Sequence, residues 1–205
     1  FQKWLQQRAQ PPGDPAYAFS DVSLEGTANE TVATLKAKLT VQITKDGQWV
    51  RVPVELNEAN LQKFTHAFQP LPAATDNKTT GKAAFAGLNR QGGNQWWFFG
   101  AGQHTLTLDF VVAVRKSAGV RRLQLTVPQA ASSYLKLDLQ IVNEQLAFEP
   151  LPVGVQKTTP LGKDATQIEL FRLGPRLDFG WKTLPDSRQV KTLLKAESEL
   201  RVEPT

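Results

Sequence analysis

The sequence contains no cysteine and no methionine, and it has only two histidines among its 205 residues. The lack of cysteine excludes a disulfide framework, a thiol nucleophile and a thiolate metal site. His66 and His104 are then the only imidazoles for metal or acid–base chemistry, and no metal-site spacing relates them. We therefore expect a surface or hydrogen-bonded structural role for each histidine, and we predict no metal and no cofactor.

A chain that begins at Phe1 and lacks methionine is expected to be a fragment or a processed product. No apolar run approaches the roughly 20 residues of a membrane span, and residues 1–10 lack the apolar segment of a signal peptide. The net charge is only +5, and basic residues are interspersed with acidic ones, unlike the one-sided stripe typical of nucleic-acid binding. We expect no nucleic-acid partner and no direct membrane insertion.

Helical periodicity is almost absent, whereas apolar and polar residues alternate along much of the chain. Alternation with a period of two is typical of a strand with one buried face. The long alternating segments are 35–43, 50–56, 106–114, 123–127 and 135–141, and the shorter ones are 145–148, 167–170 and 177–181. So many strands, separated by Gly and Pro turns, predict an all-β fold, specifically an antiparallel β-sandwich, with a barrel as the alternative.

Turn residues predict how some of these strands are joined. Asp46-Gly47 predicts a hairpin between segments 35–43 and 50–56, and the charged turn at 115–119 predicts a second, longer hairpin. Pro53 has no amide proton, so its strand is expected at a sheet edge. Residues 57–68 carry an apolar stripe that predicts either a helix or an irregular crossover.

The remaining segments suggest a domain organisation. Residues 1–14 are predicted to be the end of a short helix followed by a linker, and residues 15–186 the β-sandwich, with exposed loops at 73–82 and 150–162. Residues 187–205 are predicted to form a terminal strand. Because 193–202 is similar to 34–41, this strand is also a candidate for the start of a following repeat, although two alternating strands can resemble each other by chance.

The most unusual stretch is the aromatic run from Gln95 to Gly100. On a strand, Trp96 and Trp97 point to opposite faces, so at least one of them is expected to be buried. Exposed tryptophans stack on sugar rings or bases, which makes a carbohydrate-binding face the functional alternative to a packed core. The candidate ligand-binding residues are Trp96, Trp97, Trp49 and Trp181.

The densest basic cluster brackets the second predicted turn and is a candidate contact for an acidic partner. Its members are Arg115, Lys116, Arg121 and Arg122. A solvated hairpin tip is the alternative interpretation, because strand ends ordinarily carry such charges. No motif for a nucleophile, a metalloprotease helix or a phosphate-binding loop occurs in the sequence, so no catalytic residue and no enzymatic activity is predicted.

Three segments carry a resemblance: Gly-Gln-Trp-Val-Arg-Val-Pro-Val from residue 47, Gln-Trp-Trp-Phe-Phe-Gly-Ala-Gly-Gln-His from residue 95, and Arg-Arg-Leu-Gln-Leu-Thr-Val-Pro-Gln-Ala from residue 121. Their strand pattern, between about residues 19 and 181, resembles large bacterial envelope or secreted proteins built from β-rich repeats. The resemblance implies an extracytoplasmic, non-enzymatic structural or interaction module, located in the periplasm, at the cell surface or outside the cell. Its expected partner is a protein or the neighbouring repeats of the same chain, and polysaccharide is the alternative ligand.

Overall fold

The computed structural model describes residues 15–70, 84–89, 93–141, 146–152 and 155–183. Every element within these residues is a β-strand, as the alternation predicted. The strands are β1 (Tyr17–Ala28), β2 (Val32–Ile43), β3 (Trp49–Glu55), β4 (Ala59–Pro70), β5 (Ala84–Asn89), β6 (Gly93–Phe99), β7 (Gly102–Ala113), β8 (Arg115–Ser117), β9 (Val120–Thr126), β10 (Ala130–Leu139), β11 (Leu146–Phe148), β12 (Val155–Leu161), β13 (Ala165–Phe171) and β14 (Arg176–Thr183). The predicted N-terminal helix, the loop at 73–82 and the terminal strand at 187–205 lie outside the described residues.

The strands form three sheets. The large sheet has seven strands in the order β12-β13-β10-β1-β2-β7-β4, a second sheet has the order β11-β14-β9-β8, and a third has the order β3-β6-β5. Strands β1 and β10 run parallel to each other, whereas the other neighbours in the three sheets are antiparallel. The large sheet is therefore mixed rather than purely antiparallel. Strand β3 is an edge strand, which confirms the placement expected from Pro53.

One hydrophobic cluster fills the space between the sheets. The apolar positions of the alternating strands all point into it, including Leu39 and Leu108 from the large sheet, Val52 from the third sheet and Leu125 from the second. Each of these four side chains is at most 2% exposed. The arrangement is a β-sandwich in which the large sheet forms one layer and the two smaller sheets form the other.

Both predicted long hairpins are wrong. Strand β2 pairs with β1 and β7, whereas β3 pairs with β6 in a different sheet. Strand β7 likewise pairs with β2 and β4, and the chain leaves the large sheet before the short hairpin β8–β9 begins. The turn predicted at 115–119 is confirmed only at Ala118 and Gly119, which have positive φ values of 49° and 81°, because residues 115–117 form strand β8. The turns at 44–48 and after β7 carry the chain between layers, and a sequence of alternating strands does not distinguish such a crossover from a hairpin.

The segment 57–68 is strand β4, not a helix or an irregular crossover. A β-bulge between Leu61 and Lys63 inserts one extra residue, so the inward positions run Leu61, Phe64, His66. The resulting spacing of three imitates the period of a helix. The predicted loop at 150–162 is also corrected, because Val155–Leu161 is strand β12. Pro160 is accommodated there because β12 lies at the edge of the large sheet.

The outward face of the large sheet carries a row of charges that alternates in sign on neighbouring strands. The row, which we call the charge ladder, consists of Lys63, Asp109, Lys36, Glu25, Lys136, Glu169 and Lys157, one from each strand from β4 to β12. Lys36 Nζ lies 3.7 Å from Asp109 Oδ1, and Lys157 Nζ lies 3.5 Å from Glu169 Oε2. Opposite charges directly across neighbouring strands favour this strand order and register.

Candidate functional site

The outward face of the third sheet exposes aromatic rings beside a positive charge. In β3 and β6 the residues Val52, Trp96 and Phe98 point into the core, so the alternate residues point outward. Trp49 lies opposite Phe99, and Arg51 lies opposite Trp97. We call these four residues, Trp49, Arg51, Trp97 and Phe99, the aromatic strip.

The aromatic strip is exposed along the edge strand β3 and half-buried along β6. Trp49 is 48% exposed, and its ring centroid lies 5.5 Å from that of Phe99 at an interplanar angle of 55°. Trp97 and Phe99 are half-buried, whereas Arg51 is exposed. Arg51 forms no salt bridge with any residue that the structure describes. The strip therefore combines flat apolar surface with a cation that has no acidic partner in the described part of the chain.

The four tryptophans predicted as ligand-binding residues separate into two pairs. Trp49 and Trp97 share the aromatic strip. Trp96 and Trp181 are only 2% and 1% exposed, and they pack against Phe64 and Phe179 with centroids 5.0 Å and 5.8 Å apart. Their rings belong to the core and present no face to a ligand. The expectation that at least one of Trp96 and Trp97 is buried is confirmed.

The basic cluster is partly neutralised by acids of the same chain. Arg115 lies opposite Arg122, and Lys116 opposite Arg121, a pairing of like charges that would destabilise a hairpin without counterions. Arg121 forms an ion pair with Glu30, and Arg122 binds Asp178 through Nε and one terminal nitrogen at 2.6 and 2.8 Å.

The hydrogen bonds between Arg122 and Asp178 lower the pKa of the Asp178 carboxyl and raise the pKa of the Arg122 guanidinium. Of the four residues in the basic cluster, Arg115 and Lys116 are the two that form no salt bridge with any described residue, and both are exposed.

The two histidines, distant in sequence, form a hydrogen-bonded pair that sequence reasoning missed. His66 Nε2 lies 3.0 Å from His104 Nδ1, and His104 Nε2 lies 2.9 Å from the carbonyl oxygen of Gly100. Because the carbonyl can only accept, His104 donates through Nε2, and its Nδ1 accepts from Nε2 of His66. Both histidines lie at inward-facing positions, His66 on β4 and His104 on β7. Strand alternation could have revealed this, but the bulge in β4 shifts the alternation there.

Aromatic rings enclose the histidine pair at the contact between the large and third sheets. His104 is fully buried, with Phe68 and Phe98 at centroid distances of 4.7 and 5.0 Å. Burial lowers the pKa of both histidines; the neighbouring His104 lowers that of His66 further, and the hydrogen bond to Gly100 partly opposes the effect on His104. Burial therefore favours the neutral form of both imidazoles; His104 is a core residue, and His66 is partly buried.

The described residues contain neither a cluster of metal-binding side chains nor a helix able to span a membrane. No group of three or more His, Cys, Asp or Glu side chains in that part of the chain is arranged to hold a metal ion. None of its elements is a helix long and apolar enough to cross a membrane.

Comparisons with known proteins found similarity only among solved structures. No family model matches the chain, and no curated protein matches it. An M1 zinc metallopeptidase from Deinococcus radiodurans is similar with a TM-score of 0.49 at 9% identity, over 82% of this chain and 43% of that one.

A mutant of the Deinococcus radiodurans M1 enzyme bound to a Tyr-Ser-Ala substrate gives a TM-score of 0.48 at 9% identity, over 82% and 43% of the two chains. A two-domain M1 zinc metallopeptidase mutant bound to L-tryptophan gives 0.49 at 8% identity with the same coverage. The chain thus spans less than half the length of these structures.

Proposed function

We propose that the chain is a non-enzymatic interaction module of a larger secreted or cell-envelope protein, and that the aromatic strip is its contact surface. The observation that carries the proposal is that Trp49 and Arg51 are both exposed on the outward face of strand β3. Tryptophan and arginine are enriched among the residues that dominate binding energy in protein interfaces. The strip thus has the composition of an interface core, whose partner is another protein or a neighbouring repeat of the same chain.

The roles of the polar groups support the non-enzymatic part of the proposal. His104 uses both ring nitrogens in internal hydrogen bonds, and Asp178 is held by Arg122 and Gln124. These groups stabilise the fold rather than line a cleft. Sustained turnover of glycoside, ester or peptide substrates by repurified protein, lost in a folded variant, would contradict this part of the proposal.

The test of the interface measures binding with and without the strip. The chain is titrated with itself and with the flanking parts of its parent protein, by sedimentation and calorimetry. The variant Trp49→Ala with Arg51→Ala should weaken binding by tenfold or more, because interface anchors of this kind contribute about 2 kcal/mol or more. The control is Phe171→Ala, which removes an exposed aromatic ring from a different sheet. Equal affinities of the two variants would contradict the proposal.

A carbohydrate-binding module is the second candidate, because the strip places Trp49 and Trp97 on one outward face. Rings arranged in this way stack on sugars. If the strip is a protein interface, soluble polysaccharides should bind no more tightly than millimolar, about −4 kcal/mol. Quenching of tryptophan fluorescence by a polysaccharide at micromolar concentration, lost in a stable Trp97→Ala variant, would favour this second candidate.

A further inference from the structure

A groove opens where the three sheets meet, next to the end of the aromatic strip. Its volume is about 500 Å³, within the size range of ligand-binding clefts. Its apolar walls come from Tyr17, Phe19 and the prolines Pro53, Pro128 and Pro175. The rings of Tyr17 and Phe19 meet edge to face with centroids 6.0 Å apart. These walls are stiff, because proline and paired aromatic rings have few accessible conformations.

Glu55 lines the groove, and its backbone conformation is unusual. Glu55 and Leu56 both have left-handed φ values, 59° and 54°, a conformation that costs free energy in residues other than glycine. Asn94 Nδ2 donates to both of their carbonyl oxygens, at 3.0 and 2.9 Å. The Leu56 amide donates to the Thr126 carbonyl at 3.0 Å. Backbone strain held by so many hydrogen bonds is typical of functional sites.

The charges of the groove favour a basic ligand. Glu55 accepts a hydrogen bond from Asn57 Nδ2 at 3.3 Å, and it has no salt bridge with any described residue. Arg176, on another wall, lies 3.9 Å from Asp178, so its charge is partly offset. The carboxylate of Glu55 is thus the one charged group of the groove that lacks a counterion in the described part of the chain.

We propose that this groove binds a proline-rich peptide segment bearing a lysine or arginine. A polyproline II chain has no internal hydrogen bonds, so its carbonyl oxygens need donors, and Tyr17 Oη and the Gln129 amide are donors on the groove walls. Aromatic-lined grooves recognise such chains through ring-on-ring packing. The basic side chain pairs with Glu55. This proposal is independent of the aromatic strip, because none of the strip's four residues lines the groove.

Fluorescence anisotropy with two labelled decapeptides tests the proposal. One peptide has nine prolines and an arginine, and in the other citrulline replaces the arginine. The arginine peptide should bind saturably with a dissociation constant below about 1 mM. The citrulline peptide should bind about tenfold more weakly. Because this comparison uses the unaltered protein, it does not depend on whether any variant folds.

Two variants locate the binding. Glu55→Gln should weaken the arginine peptide about tenfold and leave the citrulline peptide unchanged, whereas Tyr17→Phe should weaken both peptides alike. Asp164→Asn, an exposed carboxylate on the turn between β12 and β13, is the matched control and should change neither. Absence of saturable binding, equal binding of a peptide with glycine in place of proline, or the same response to Asp164→Asn as to Glu55→Gln would overturn the proposal. None of these results bears on the strip, whose test uses Trp49 and Arg51.

Discussion

His104 is buried with both ring nitrogens in hydrogen bonds, and this state depends on the histidine being neutral. Protonation of Nδ1 would place a donor against the donor of His66. Protonation of His66 at its Nδ1 keeps the hydrogen bond but puts a charge on a partly buried ring that has lost much of its hydration. Protonation of either histidine therefore costs free energy. For this reason burial lowers the pKa values of both His66 and His104.

The lowered pKa values predict an acid-sensitive stability. The folded state binds protons more weakly than the unfolded state, whose histidines titrate near pH 6.5. The free energy of unfolding should therefore be constant above about pH 7 and should fall as the pH drops below 6.5. Urea unfolding between pH 5.5 and 8 measures this effect. In His66→Phe, the slope below pH 6.5 should be shallower, and an unchanged slope would contradict the assignment.

Trp96 and Trp49 differ in burial, so their replacement should affect stability differently. Trp96→Ala should destabilise the fold by about 3–5 kcal/mol, since it leaves a cavity in the core. Trp49→Ala removes a ring that is 48% exposed and should cost less than about 1 kcal/mol. Chemical denaturation of the two variants checks the difference. Similar losses of stability would show that Trp49 is packed more closely than its exposure indicates.

At the scale of elements, each strand follows the local alternation, and its neighbours are selected by contacts across the sheet. The charge ladder is one such contact. Its isolated pairs are exposed and individually weak, but each central residue faces opposite charges on two sides. A shift of β7 by two residues, for example, would keep its apolar face buried while placing the neutral Thr107 or Val111 opposite Lys36.

Lys36→Glu should therefore destabilise the protein by about 1 kcal/mol, because Asp109 and Glu25 both lie opposite position 36. The loss should shrink in 1 M salt, where exposed charges are screened. The matched control is Lys38→Glu on the same face, which lies opposite the neutral residues Thr107 and Ser23. Thermal unfolding at low and high salt measures both. Equal effects of the two reversals would rule out a role of the ladder in stability.

Gly180 on strand β14 lies against the backbone that follows β11. A Cβ atom at Gly180 would lie 2.1 Å from the carbonyl oxygen of Glu149 and 2.7 Å from Val120 Cγ1. Gly180→Ala should cost about 1–3 kcal/mol, as expected for overpacking against backbone. Gly174→Ala is the control, because the nearest atom to its Cβ is 4.0 Å away. A Gly180→Ala variant as stable as Gly174→Ala would show that β11 can move aside.

The whole molecule is held together by one cluster to which all three sheets contribute. No sheet buries both of its faces alone, so loss of one layer exposes the inward face of the other. We expect a single cooperative unfolding transition. Far-ultraviolet circular dichroism reports on all strands, and fluorescence reports on Trp96 and Trp181 in different small sheets. The two transitions should coincide; separated midpoints would indicate that a small sheet unfolds first.

Alternation with a period of two is a local property, and it was sufficient to predict strands β2, β3, β7, β9, β10, β13 and β14 with their inward faces, but not β1, β8 or β12. The sequence also placed Pro53 at an edge and one tryptophan of the Trp96–Trp97 pair in the core. Which strands share a sheet could not be predicted from the pattern, since pairing joins residues far apart in the chain and the same alternation suits many partners. The aromatic strip, the histidine pair and the charge ladder depend on that pairing. The strand β4 was concealed as well, because one bulge residue changed its local period.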